Sequence, residues 1–220
     1  AGEEEATLER ARQAGVGRVI NVGTTLDRSR KSVALAERFD NIWAAVGIHP
    51  HDALEVTEQA VTELTLLAEH PKVVAVGEIG FDTHYENGPS PAIQDDAFRK
   101  QSELAIAKKL PLIVHSRDAE ALTIECLKHV ADAHPAESPG VVHCFTGSLE
   151  FAQHVVELGY LISFTAPIGY PKNEVLREVV KTIPLEKVMV ETDCPFLAPQ
   201  DKRGERNEPA YVISTAEKIA

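Results

Sequence analysis

Short apolar runs rich in β-branched residues recur along the chain, separated by stretches whose apolar residues return every three to four positions. The runs are "RVINVG" (18–23), "IWAAVGI" (42–48), "VVAVGEIG" (73–80), "LPLIVHS" (110–116), "GVVHCF" (140–145), "YLISFT" (160–165) and "VMVET" (188–192). Between them, "AFRKQSELAIAKKL" places Ala97, Leu104, Ala105 and Ala107 on one side of a helix, with Arg99, Lys100 and Lys108 elsewhere. "SLEFAQHVVELG" predicts a helix capped by Ser148 and stopped at Gly159, and "NEVLREVVKTI" predicts one that starts at Asn173 in the same way. Near-continuous apolar strands alternating with helices imply parallel strands covered on both faces. The expected fold is a TIM (β/α)8 barrel forming a single domain over residues 1–220. The chain begins with the helical "AGEEEATLERARQAG" and ends in the still-periodic "EPAYVISTAEKIA". The expectation is therefore a barrel whose first strand and the end of whose last helix are missing.

One run poses a chemical question. "VVAVGEIGFD" starts as a buried strand and then places Glu78 between two glycines, followed by Asp82. A carboxylate at the end of an apolar run is costly to bury unless something pairs with it. In a β/α barrel, strand ends at the C-terminal face carry the reactive groups. Four runs end on metal-competent side chains: Glu78, His115, His143 and Asp193. Singly each has an ordinary reading, such as a turn residue for Asp193 ahead of Pro195. Together, on separate strands at one rim, two imidazoles and two carboxylates suit a hydrolytic metal site. With a bridging carboxylate, two cations could clamp the attacking and leaving oxygens.

"GIHPHD" adds His49 and His51 to that rim, as ligands of metal or of substrate phosphate, and Arg117 in "HSRD" is a candidate phosphate fork. The basic run "KRGER" (202–206) could guide a polyanion. Other chemistries find little support. No Gly-x-Ser-x-Gly elbow and no Gly-x-x-x-x-Gly-Lys loop occurs. Cys144 and Cys194 directly follow His143 and Asp193, so on a strand each pair would face opposite ways.

Composition narrows the surroundings. Hydrophobic residues at 44% and charged residues at 25% are ordinary globular values and argue against disorder. No apolar run has the length of a membrane span and no signal peptide is visible, so no membrane partner is expected. Three scattered cysteines favour a reducing, cytoplasmic setting. The net charge of −12 disfavours wrapping a duplex. It still allows a phosphate substrate where bound cations reverse the local field.

The segments "AAVGIHPHDA", "VVAVGEIGFD", "LPLIVHSRDA", "VVHCFTGS", "VMVETDCPFLAP" and "RNEPAYV" together resemble the TatD family of metal-dependent deoxyribonucleases, in that family's order and over essentially the whole chain. The resemblance implies a metallo-dependent hydrolase barrel with two divalent ions (Mg, Mn or Zn). Carried over by position, Glu78 is the bridging carboxylate and His115 and His143 are ligands of one metal. Asp193 is the ligand of the other and orients water, which makes Asp193 and Glu78 the expected catalytic pair. His49 and Arg117 match positions near the substrate, and Pro209 of the "NEP" element suits the first turn of the last helix. The family usually opens with Asp-x-His-x-His, an element not found in this sequence. If that segment is truly missing, only the site of Glu78, His115 and His143 is expected to keep its ligands.

The expected function is hydrolysis of DNA phosphodiester bonds by attack of a metal-bound water, as an exonuclease at single-stranded ends. One rival is a metal-dependent amide or ester hydrolase such as an aminoacyl-tRNA deacylase. It would be disfavoured if Arg117 and Arg206 converge at the pocket mouth. The other rival is a truncated, non-catalytic scaffold.

Overall fold

The computed structural model describes residues 2–134, 136 and 138–220. Seven strands form one sheet: β1 (Val19–Val22), β2 (Ile42–Val46), β3 (Val73–Asp82), β4 (Leu112–Arg117), β5 (Gly140–Val142), β6 (Leu161–Phe164) and β7 (Val188–Val190). Every strand is parallel to its neighbours and their spatial order is their chain order, β1 to β7. Each of the seven apolar runs thus supplies a strand. The helices are α1 (Gly2–Gln13), α2 (Leu26–Arg38), α3 (Glu58–Leu67), α4 (Pro91–Lys108), α5 (Glu120–Ala133), α6 (Leu149–Glu157), α7 (Glu174–Thr182) and α8 (Val212–Ile219). The sheet curls so that side chains from the ends of distant strands meet, which makes this an α/β, TIM-barrel-like fold. No described helix is long and apolar enough to cross a membrane.

The core lies on both faces of the sheet. Val46, Val76, Ile79, Val114, Val142, Ile162 and Phe164 are buried along the strands, and Phe98 of α4 stacks on Phe81 of β3. The buried side of α4 includes Ala97, Phe98, Leu104 and Ala105 together with Gln94 and Gln101, and is centred on Gln101. Ala107, expected on the apolar side, is exposed because that side turns away before reaching it. The two buried amides act as extensions of the sheet. Ile48 N–H donates to Gln101 Oε1 (2.8 Å) and Gln101 Nε2 donates to Ile48 O (3.0 Å). In the same way Asp82 N–H donates to Gln94 Oε1 and Gln94 Nε2 donates to Asp82 O, both at 2.8 Å. Seven residues apart on one helix, these amides satisfy backbone groups where the ladder gives out.

Helix ends follow the sequence in most places. Ser148 caps α6 by accepting from Phe151 N–H (3.1 Å), and Gly159 follows that helix with φ +90°. Asn173 occupies the cap position of α7 but its side-chain oxygen accepts no helix N–H; its Nδ2 donates to Pro167 O (2.9 Å). Pro209 opens a 3₁₀ turn (Pro209–Tyr211) that feeds α8.

Candidate metal centre

Glu78 owes its position to an irregularity in β3. Against β4, the pairing steps from Val76–Leu112 to Ile79–Val114, so β3 advances three residues while β4 advances two. The inserted residue is a bulge that re-aims a side chain. The following glycine is required by space: at Gly80 (φ +144°) an added Cβ would lie 2.0 Å from His115 O. Only glycine lets β3 approach β4 this closely.

Three imidazoles converge on one oxygen, Glu78 Oε1. His143 Nε2 lies 2.7 Å away, His115 Nδ1 2.8 Å and His49 Nε2 3.4 Å. His115 is in β4, His143 follows β5 with its N–H on Val114 O (2.9 Å), and His49 ends the segment after β2. His49, Glu78 and His115 each offer a ligand atom within 4.8 Å of the others, a spacing that one metal ion can span.

Behind the first contacts stand two more carboxylates. Asp82 Oδ2 faces His115 Nε2 (3.2 Å) and His51 Nε2 (2.9 Å), and its side chain is 1% exposed. Glu191 Oε2 faces His143 Nδ1 (3.6 Å), while its Oε1 accepts from Cys144 N–H (2.6 Å). His115 and His143 each therefore sit between two carboxylates. A neutral imidazole has one proton and cannot donate in both directions. Burial works against a charged ring, yet Asp82 and Glu78 raise the His115 value above the ordinary one. Glu78 and Glu191 raise that of His143 well above it, again against burial. Glu78 is desolvated, but the three rings hold its carboxyl well below the usual range. His49 differs: burial lowers its value, with Glu78 opposing, and its Nδ1 accepts from His51 N–H (3.2 Å). That bond leaves Nε2 directed at Glu78. The donor set thus demands positive charge between Glu78 and the rings, which second protons supply and a divalent cation would replace.

Asp193 follows β7 in a left-handed conformation (φ +52°). Burial pushes its carboxyl up to about 6; the His143 charge opposes this and Glu78 and Glu191 add to it. Among the described residues its side chain makes no hydrogen bond or ion pair. Its loop is held by buried Asn207, whose amide donates to the carbonyls of Thr192 (2.7 Å) and Phe196 (2.6 Å). Glu208 of the same element pairs with Arg10 of α1 (2.5 Å).

The remaining candidates divide. His51 joins the cluster through Asp82, whereas Arg117 stands outside it with its guanidinium over the Tyr85 ring (5.3 Å). Asp118 pairs with His84 (2.7 Å) and not with Arg117. Arg206 does not join Arg117 at the mouth, because Glu3 of α1 holds it. In the same basic loop, Arg203 lies over Tyr170 (4.5 Å). Sequence reasoning assigned no role to Asp82 or Glu191. A signal was available for Asp82 in strand alternation, which sets it four residues beyond Glu78 on the same strand, whereas Glu191 lies past the end of β7.

A family model described as TatD-related DNase matches residues 1–220. The chain is 41% identical over 217 residues to a metal-dependent hydrolase, YabD, of Bacillus subtilis, covering 98% of this chain and 83% of that protein. It is 34% identical over 225 residues to a 3'-5' ssDNA/RNA exonuclease, TatD, of Salmonella typhimurium, covering 100% and 85%. The crystal structure of YJJV, a TatD homolog from Escherichia coli, superposes with a TM-score of 0.91 at 35% identity, covering 99% of this chain and 83% of that one.

Proposed function

The chain belongs to the TatD-related DNase family of metal-dependent hydrolases, and on that premise we propose that it hydrolyses phosphodiester bonds of DNA, removing nucleotides from single-stranded ends. The observation that carries this reading is the convergence of three imidazoles on one oxygen of Glu78, backed by Asp82 and Glu191. The relatives named as ssDNA/RNA exonucleases support the choice of a nucleic-acid strand.

We assign the holding of two divalent cations (Mg, Mn or Zn) to Glu78, His115, His143 and Asp193, with His49 able to close the group around Glu78. When bound, such cations lower the pKa of water and stabilise charge on phosphoryl oxygens. The chain's own residues do the rest. Glu78 anchors the rings, Asp82 and Glu191 fix their orientation, and Asp193, whose side chain has no other hydrogen-bond partner among the described residues, would accept a proton from the attacking water. His51 and Arg117 meet the substrate at the rim. Three unpaired cysteines suit a cytoplasmic setting.

The test is a nuclease assay on a single-stranded oligonucleotide after chelation and reloading with manganese, magnesium or zinc. Cleavage that returns with metal is expected. His143→Ala should lower turnover by about 10²-fold or more and lower metal content with it. A wild-type chain silent with every metal, or a variant of unchanged activity, would refute the reading.

A further inference from the structure

We propose that Tyr85 is a stacking platform for a nucleobase beside the scissile phosphate, with Arg117 gripping the adjoining backbone, so that the site selects unpaired nucleotides. This rests on the phosphodiesterase reading above and specifies how that site recognises its substrate.

Rings line the rim without interruption from the metal-capable cluster outward. His115 and His49 lie 4.6 Å apart between centroids, His49 and His51 4.5 Å, and His51 and Tyr85 5.5 Å. Tyr85 is the outermost of these and 55% exposed. Its ring is held edge to face by His51 and by His84, the latter at 4.9 Å. His84 is in turn held by Asp118 (2.7 Å) and by its N–H on Asp82 Oδ1 (3.0 Å). These neighbours fix the ring while about half of the residue stays open to solvent, which leaves ring surface for a base at low ordering cost.

Charge points to the same ligand. Arg117 lies over the Tyr85 ring with Nη1 3.5 Å from the phenol oxygen, and among the described residues it forms no ion pair. A cation left unpaired beside Asp118, in a chain of net charge −12, is suited to an anion brought by the substrate. Aromatic faces combined with arginine are how single strands are held without reading sequence, since every base has a face to stack. A base inside a duplex is stacked on both faces by its neighbours and could not use the platform without being drawn out of the stack.

The test compares a single-stranded oligonucleotide with the same oligonucleotide carrying abasic sugars at its terminal positions, using the metal-loaded full chain. The wild type should prefer the base-bearing strand by on the order of ten-fold in KM. Tyr85→Ala should abolish that preference, losing in KM more than in kcat, and Tyr85→Phe, which keeps the ring, should restore it. Thermal melting of each variant checks that the fold is retained. A wild-type preference near one, or a preference that survives Tyr85→Ala, overturns the proposal while leaving the phosphodiesterase reading intact. A wild type that cleaves neither strand with any metal overturns both.

Discussion

At the scale of the residue, the centre is governed by how few protons two imidazoles can offer four carboxylate contacts. Asp82 and Glu191 decide the matter from behind, fixing which ring nitrogen faces Glu78. Outer partners of this kind commonly tune metal affinity by 10- to 100-fold. Asp82→Asn and Glu191→Gln are each expected to weaken metal binding by about that factor, read by competition with a chromophoric chelator. The pH dependence has a definite sign. Because the His115 and His143 values are raised, their protons compete with the metal, so affinity should strengthen as pH rises through those values. The gain approaches ~10-fold per pH unit for each proton released. Titrations in buffers of different ionisation enthalpy would count those protons. The residues most legible in the sequence were strand-end donors: Glu78, His115 and His143 each stand out against an apolar run. Asp82 and Glu191 did not, since their roles come from the rings they face, His115 and His143, which only the fold brings to them.

At the scale of the element, β3 and α4 carry the site. Gly80→Ala would force a Cβ against His115 O and push β4 outward. A cost of about 3 kcal/mol is expected, seen as a lower urea midpoint, with weakened metal binding in the fraction that folds. The strands were readable because β-branched apolar runs of this length have few other uses. Helix α4 was readable as a helix but its inward face was not. Gln94 and Gln101 resemble surface residues until the strand termini they complete are known. Asn173 sits at the cap position of α7 with its amide turned to donate to Pro167 O, a contact the local sequence does not announce.

At the scale of the whole molecule, the acidic surface sets how a polyanion can engage. With Arg117 unpaired among the described residues and the net charge at −12, a strand should be held by few phosphate contacts and affinity should vary gently with salt. Arg117→Gln should reduce the slope of log K against log salt by about 0.7, the value for one phosphate of a single strand. Anisotropy of a labelled oligonucleotide across a salt series measures it. Fold class was legible because strand and helix alternate along the chain. The tethering of Arg206 was not, since Glu3 lies at the opposite end of the sequence.

The identity of spatial and chain order in the sheet also bears on how the protein is made. Each strand emerging from a ribosome finds its partner already synthesised and adjacent, so the sheet can grow one edge at a time. His49, Glu78, His115 and His143 emerge in that order, so the rings converging on Glu78 are complete only once β5 has joined. Asp193 emerges only after β7, so the group proposed above to hold the cations is complete only when the last strand is in place.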